Sequence, residues 1–170
     1  MPLTPAGERR AALVGSLLAS LRGPDAPPPA VLSSPRRRAV RTAALAGLPA
    51  PTVTDDLAEW EYGEYEGLTT PQIRQSVPGW TVWTHPSPGG ETAGEVAARA
   101  DRVLARAAEL RASGDVVLVG HGHLSRVLTA RYLGLPATAG VHFALDAGGV
   151  TVLGEERGVP RLDRVNLVPS

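Results

Sequence analysis

Apolar and polar positions follow two rhythms along this chain. From Leu13 to Leu21 the apolar residues Leu13, Val14, Leu17, Leu18 and Leu21 recur three and four apart, the period of a helix with one buried face. Thr4 and Pro5 supply its start, a capping hydroxyl followed by proline at the first helical position, and Gly23 with Pro24 stops it. Pro27 to Pro29 form a stiff connection. The pattern then predicts a short strand over Val31–Ser33, a helix over Arg36–Ala46 and another short strand at Val53. Thr92 and Glu95 form a capping box. The helix they open runs on Val96, Ala100, Val103, Leu104, Ala107 and Leu110 to about Ser113. Val116 to Val119, bounded by Gly114 and Gly120, is a continuous apolar run, the mark of a buried strand. A helix over Leu124–Leu133 follows, and the tail from Phe143 predicts two or three strands with a Glu-Glu-Arg-Gly turn at 155–158. Residues 55–90 are mostly irregular and rich in Trp, Gly and Pro, with one short helix started by Thr70 and Pro71. Ordered loops of that length are commonly functional.

Length and composition narrow the classes. The 170 residues fit one domain with a real core. Cations and anions balance, 17 against 17, so nothing global points to nucleic acid or to an acidic membrane surface. All the cations are arginine, which reads as coding bias and weakens the weight of any single arginine. Cysteine is absent, which excludes disulfides and thiolate chemistry. No apolar run is long enough to span a bilayer, and no charged-then-apolar leader pattern is seen, so the expected location is the cytoplasm.

Three segments carry candidate chemistry. In DVVLVGHGH, Asp115–His123, the apolar strand delivers His121 into a glycine-flanked turn at the point where open α/β sheets bind ligands. The alternative is a turn histidine solvated at a strand end. In the second, Val31-Leu32-Ser33 is followed by the turn Ser34-Pro35, and Arg38 falls in the first turn of the next helix. An arginine there can reach across the strand ends and offer its fork of donors to phosphate oxygens. Alternatively, Arg36, Arg37, Arg38 and Arg41 are one solvated basic face. The third segment, Leu57 to Thr69, holds Glu59, Glu61, Glu64 and Glu66 among aromatics and glycines. A carboxyl pressed against Trp60 or Tyr62 would be held protonated near neutral pH, as a general acid requires. Spacing does not choose among the four. Trp80, Trp83 and the loop through Gly90 and Glu91 read as a small satellite core or as the wall of a leaving-group pocket.

Together these segments resemble the histidine phosphatase superfamily, the phosphoglycerate mutase-like fold. LTPAGERRA at 3–11, SSPRRRAVRTA at 33–43, LAEWEYGEYEGLT at 57–69, GGE at 89–91 and VLVGHGHLSRVL at 117–128 are similar to five family landmarks in the family's order. EYGEYEGLTTPQIR at 61–74, VWTH at 82–85 and GHGHLSR at 120–126 look most like its small bacterial acid phosphatases. The resemblance implies a single α/β domain over residues 1–170, a three-layer sandwich with a mostly parallel sheet flanked by helices. It implies hydrolysis of small phosphate monoesters through a phosphohistidine, with no cofactor or metal and with a homodimer as a common assembly. By the same resemblance Arg38 and a cationic His121 hold the phosphoryl oxygens and Glu59 is the proton donor. Such a constellation suits phosphoryl transfer, which depends on positioning and positive charge.

One landmark has no counterpart. The resemblance implies a strand ending in Arg-His-Gly that carries the nucleophilic histidine and a first arginine, and no Arg-His-Gly occurs in this sequence. In the family that strand lies inside the sheet, beside the strands that lead to Arg38 and His121. Losing it opens two sheet edges, against a total stability of roughly 5–15 kcal/mol for a domain. The expectation is therefore an N-terminally truncated phosphatase with its first strand missing and Met1 a misplaced start. The alternatives are a phosphoglycerate mutase and a non-catalytic phosphate-binding remnant. His123, two residues past His121, is in the right neighbourhood for a substitute nucleophile but has no strand to aim it at phosphorus, while His85 and His142, the latter at the start of a late strand, read as structural or surface residues.

Overall fold

The computed structural model describes residues 2–169. Helix α1, Pro5–Arg22, starts where Thr4 Oγ1 accepts the Gly7 amide at 3.1 Å, and it ends at Gly23, whose amide donates to the Ala19 carbonyl. Strand β1, Ala30–Ser33, leads into α2, Arg37–Leu45, and β2 is the two-residue strand Thr52–Val53. Helix α3, Thr70–Ser76, is capped by Thr69, one residue before the predicted start, through a box with Gln72. The Thr92–Glu95 box opens α4, Ala93–Arg111, as the sequence predicts. Strand β3, Val116–Val119, feeds α5, Gly122–Tyr132. The tail holds two strands, β4, Val150–Glu156, and β5, Val159–Leu167. They meet at Arg157 and Gly158, both at positive φ (53° and 80°), the two-residue turn whose twist suits a hairpin. His142 does not start a strand; it ends a short 3-10 helix, Ala137–His142.

The sheet order is β2-β1-β3, all parallel, with β4 and β5 as a separate antiparallel pair. Helices cover both faces of the parallel sheet. Leu32 of β1 enters a buried cluster with Val96, Ala100 and Val103 of α4 and Leu124, Val127 and Leu128 of α5. Val31, which strand alternation turns to the opposite face, is buried outside that cluster. Trp60, Trp80 and Trp83 belong to the same cluster as Leu32, so the irregular segment is not a satellite but one side of the main core.

The edges of the sheet depart from expectation in one respect. Strand β1 is paired on both sides, to β2 and to β3, so no further strand can lie beside it. The unpaired edges are the outer sides of the two-residue β2 and of β3. All four residues of this Val-Val-Leu-Val strand remain only half-buried, although its composition is that of a strand covered on both faces. No backbone pairing joins β3 to the β4–β5 hairpin.

Candidate active site

Register brings the first two predicted residues together. Ser33 of β1 pairs with Val119 of β3, and the Ser34 amide donates to the Val119 carbonyl at 2.9 Å. The carboxyl ends of the two strands are therefore level, and Ser34 and His121 leave the sheet side by side. His121 Nε2 lies 2.7 Å from Ser34 Oγ. Arg38, in the first turn of α2, reaches across the strand ends and donates from Nε and Nη2 to His121 Nδ1 at 3.2 and 3.0 Å. Arg36, Arg37 and Arg41 stay exposed, so only Arg38 of the basic cluster turns inward.

The network dictates the state of His121. A guanidinium only donates, so Nδ1 carries no proton, and Nε2–H donates to Ser34 Oγ. Burial, reinforced by the charge of Arg38, pulls the imidazole down to about 4. In this arrangement the ring is neutral near neutral pH. Arg38 supplies the charge.

Glu59 is the one of the four carboxylates that the fold brings to this point. The Thr54 amide donates to the Ser33 carbonyl, which carries the chain from β2 past the end of β1 into a 3-10 turn, Asp55–Leu57, with Leu57 fully buried. Glu59 Oε1 then accepts the amides of Trp60 and Leu124, both at 3.0 Å, and Oε2 accepts that of His123 at 3.2 Å. His123 and Leu124 are in the first turn of α5, whose N-cap residue His121 makes no side-chain cap. Glu59 fills that role from a distant loop, setting its carboxyl against the unpaired amides of the helix's first turn. Its carboxyl accepts three backbone amides, and the Trp60 indole donates to the Glu91 carbonyl at 2.9 Å.

His123 closes the far side. Its Nδ1 lies 2.6 Å from the Tyr62 hydroxyl, and its ring is gripped edge-on by Tyr62 and Trp83 at 5.8 and 5.3 Å between centroids. Burial and the carboxylates of Glu59 and Glu66 push the Tyr62 phenol well up, so it keeps its proton. Burial also pulls His123 down. His85 hydrogen-bonds Thr84 in a loop and His142 is exposed, both outside the constellation.

The family follows from the whole chain. The model of the histidine phosphatase superfamily (branch 1) matches residues 1–168. The chain belongs to the histidine phosphatase superfamily. An acid phosphatase of Mycobacterium tuberculosis is 49% identical over 160 residues, 94% of this chain and 77% of that protein. Among solved structures, an open-reading-frame product of Mycobacterium tuberculosis superposes with a TM-score of 0.93 at 46% identity, covering 99% of this chain and 86% of the other. A mycobacterial glucosyl-3-phosphoglycerate phosphatase superposes with a TM-score of 0.82 at 27% identity, covering 99% of this chain and 89% of the other. Family membership makes this a protein of the phosphatase class, with the α/β fold of its relatives. No helix among the described residues is long and apolar enough to cross a membrane.

Sequence reasoning missed Ser34 and Tyr62 as parts of this site. Ser34 carried a signal, a serine directly after a buried strand and ahead of proline, at the same sheet end as His121. Tyr62 carried none as a hydrogen-bond partner, because His123 is 61 residues away.

Proposed function

We propose that the protein hydrolyses small phosphate monoesters through a phosphohistidine, with Arg38 and His121 binding the phosphoryl oxygens and Glu59 protonating the leaving oxygen. The observation that carries this is the convergence of these three side chains at one sheet end from three separate segments. Arg38 offers a forked donor to an anion. An entering phosphate would draw the guanidinium from His121 Nδ1, and the negative charge beside the ring would favour its protonation. Glu59, held against the first turn of α5, stands at the same sheet end.

The nucleophile in this proposal is a histidine on a further strand laid along the open edge of β3. Such a strand would cover the half-buried Val116–Val119 and end level with His121. A covalent phosphohistidine divides the displacement into two steps, with Glu59 giving its proton to the leaving oxygen in the first and taking one from water in the second.

The test has two parts. Calorimetric titration with inorganic phosphate is expected to show binding by the 170-residue chain that Arg38→Ala and His121→Ala each weaken. Turnover of nitrophenyl phosphate is then measured on this chain and on one extended by the coding frame ahead of Met1. Turnover with an acid-labile phosphoenzyme supports the proposal. Phosphate binding without turnover in either chain leaves a binding module, and equal binding by Arg38→Ala refutes the site.

A further inference from the structure

The segment that presents Glu59 has no regular structure of its own. Between the 3-10 turn ending at Leu57 and the one beginning at Gly63, no helix or strand holds the backbone. Two buried charges hold it instead. Arg99 of α4 donates from Nε and Nη2 to the two carboxylate oxygens of Glu91 at 2.6 and 2.7 Å. Its Nη1 donates to the carbonyls of Asp56 and Ala58 at 2.8 and 3.1 Å. Glu91 completes the grip: its Oε2 accepts the Glu61 amide at 3.0 Å, its amide donates to the Glu61 carbonyl, and its carbonyl accepts the Trp60 indole. The backbone on both sides of Glu59, at 56, 58 and 61, and the Trp60 indole thus hang on these two residues.

The pair is poorly suited to stabilisation as such. Side-chain exposures of 13% for Arg99 and 18% for Glu91 mean that both ions have lost most of their water, and buried ion pairs recover little net stability. What a bidentate, multiply bonded pair supplies is geometry. One turn along α4, Arg102 makes an ion pair with Asp56 on the same loop, but in solvent, where such pairs constrain little. We propose that the Arg99–Glu91 pair is a positioning device for Glu59, setting where its carboxylate stands against the first turn of α5. Its value for hydrolysis rests on Glu59 being the proton donor; its geometric content does not.

The amide protons of His123 and Leu124 report the Glu59 carboxylate directly, because they donate to it. Their resonances in nitrogen-15-labelled protein are compared among the parent, Glu59→Ala, Arg99→Met and Arg102→Met. Arg99→Met is expected to move both amides in the direction that Glu59→Ala moves them, and Arg102→Met to leave them in place. Glu91→Gln, which preserves shape and removes the charge, should do the same as Arg99→Met and decides the matter if that variant does not fold. Amides that Glu59→Ala shifts but Arg99→Met and Glu91→Gln leave unmoved overturn the proposal. This readout needs no turnover, so it stands if the proton-donor role fails. Where Glu59→Gln does discriminate against poor leaving groups, Arg99→Met should reproduce that discrimination at about tenfold or more in kcat. A loss there without leaving-group preference also overturns it.

Discussion

Acid should weaken this fold through His121. Burial and the neighbouring Arg38, with a smaller contribution from Arg36 and an opposing one from Glu59, hold the folded imidazole at about 4 against an ordinary 6.5. Between those values the unfolded chain binds a proton that the folded protein refuses. Stability from this residue is therefore complete above about pH 6.5 and is lost as pH falls towards 4. At about 1.4 kcal/mol for each tenfold change in proton affinity, the full loss is about 3 kcal/mol, of which about 2 kcal/mol has occurred by pH 5. The assay is urea unfolding at pH 8 and pH 5 for the parent and for His121→Gln. Glutamine can accept from Arg38 and donate to Ser34 but does not titrate, and titrations elsewhere largely cancel in the difference. The parent is expected to lose about 2 kcal/mol more than the variant on going to pH 5. Equal losses in the two proteins would refute a neutral, buried His121 and the hydrogen-bond assignment built on it.

Arg38→Ala should weaken inorganic phosphate binding at least about tenfold, since charged hydrogen bonds are lost, and should let His121 titrate nearer its ordinary range in an NMR titration. Glu59→Gln should slow alkyl phosphates far more than nitrophenyl phosphate, whose leaving group needs no proton; equal slowing of the two would remove the proton-donor role. Gly140→Ala would set a Cβ 2.7 Å from Trp83 Cζ3 and 3.2 Å from the Arg126 backbone, and is expected to cost about 1–3 kcal/mol in urea unfolding. Thr92→Ala removes a capping box at the start of α4 and should cost about 1 kcal/mol by the same assay.

Local signals in the sequence determined the elements. Thr4 with Pro5, the Thr92–Glu95 box and the apolar run at 116–119 each declare an element within a few residues, because caps, helical period and buried-strand composition act over short spans. The order of the landmarks also determined the family, and with it the three residues to watch. What the sequence left open depends on contacts between segments distant along the chain. Four glutamates compete on equal terms until the Ser33–Thr54 pairing and the first turn of α5 select Glu59. The charge of His121 cannot be read from its neighbours in sequence, because Ser34 and Arg38, which decide it, lie 87 and 83 residues away. The tryptophans join the main core only because α4 and α5 close over the irregular segment. Tertiary structure alone showed that β1 is paired on both sides and that β3 lies at an edge of the sheet, since strand order is a property of pairing across the sheet and leaves no mark within a single strand.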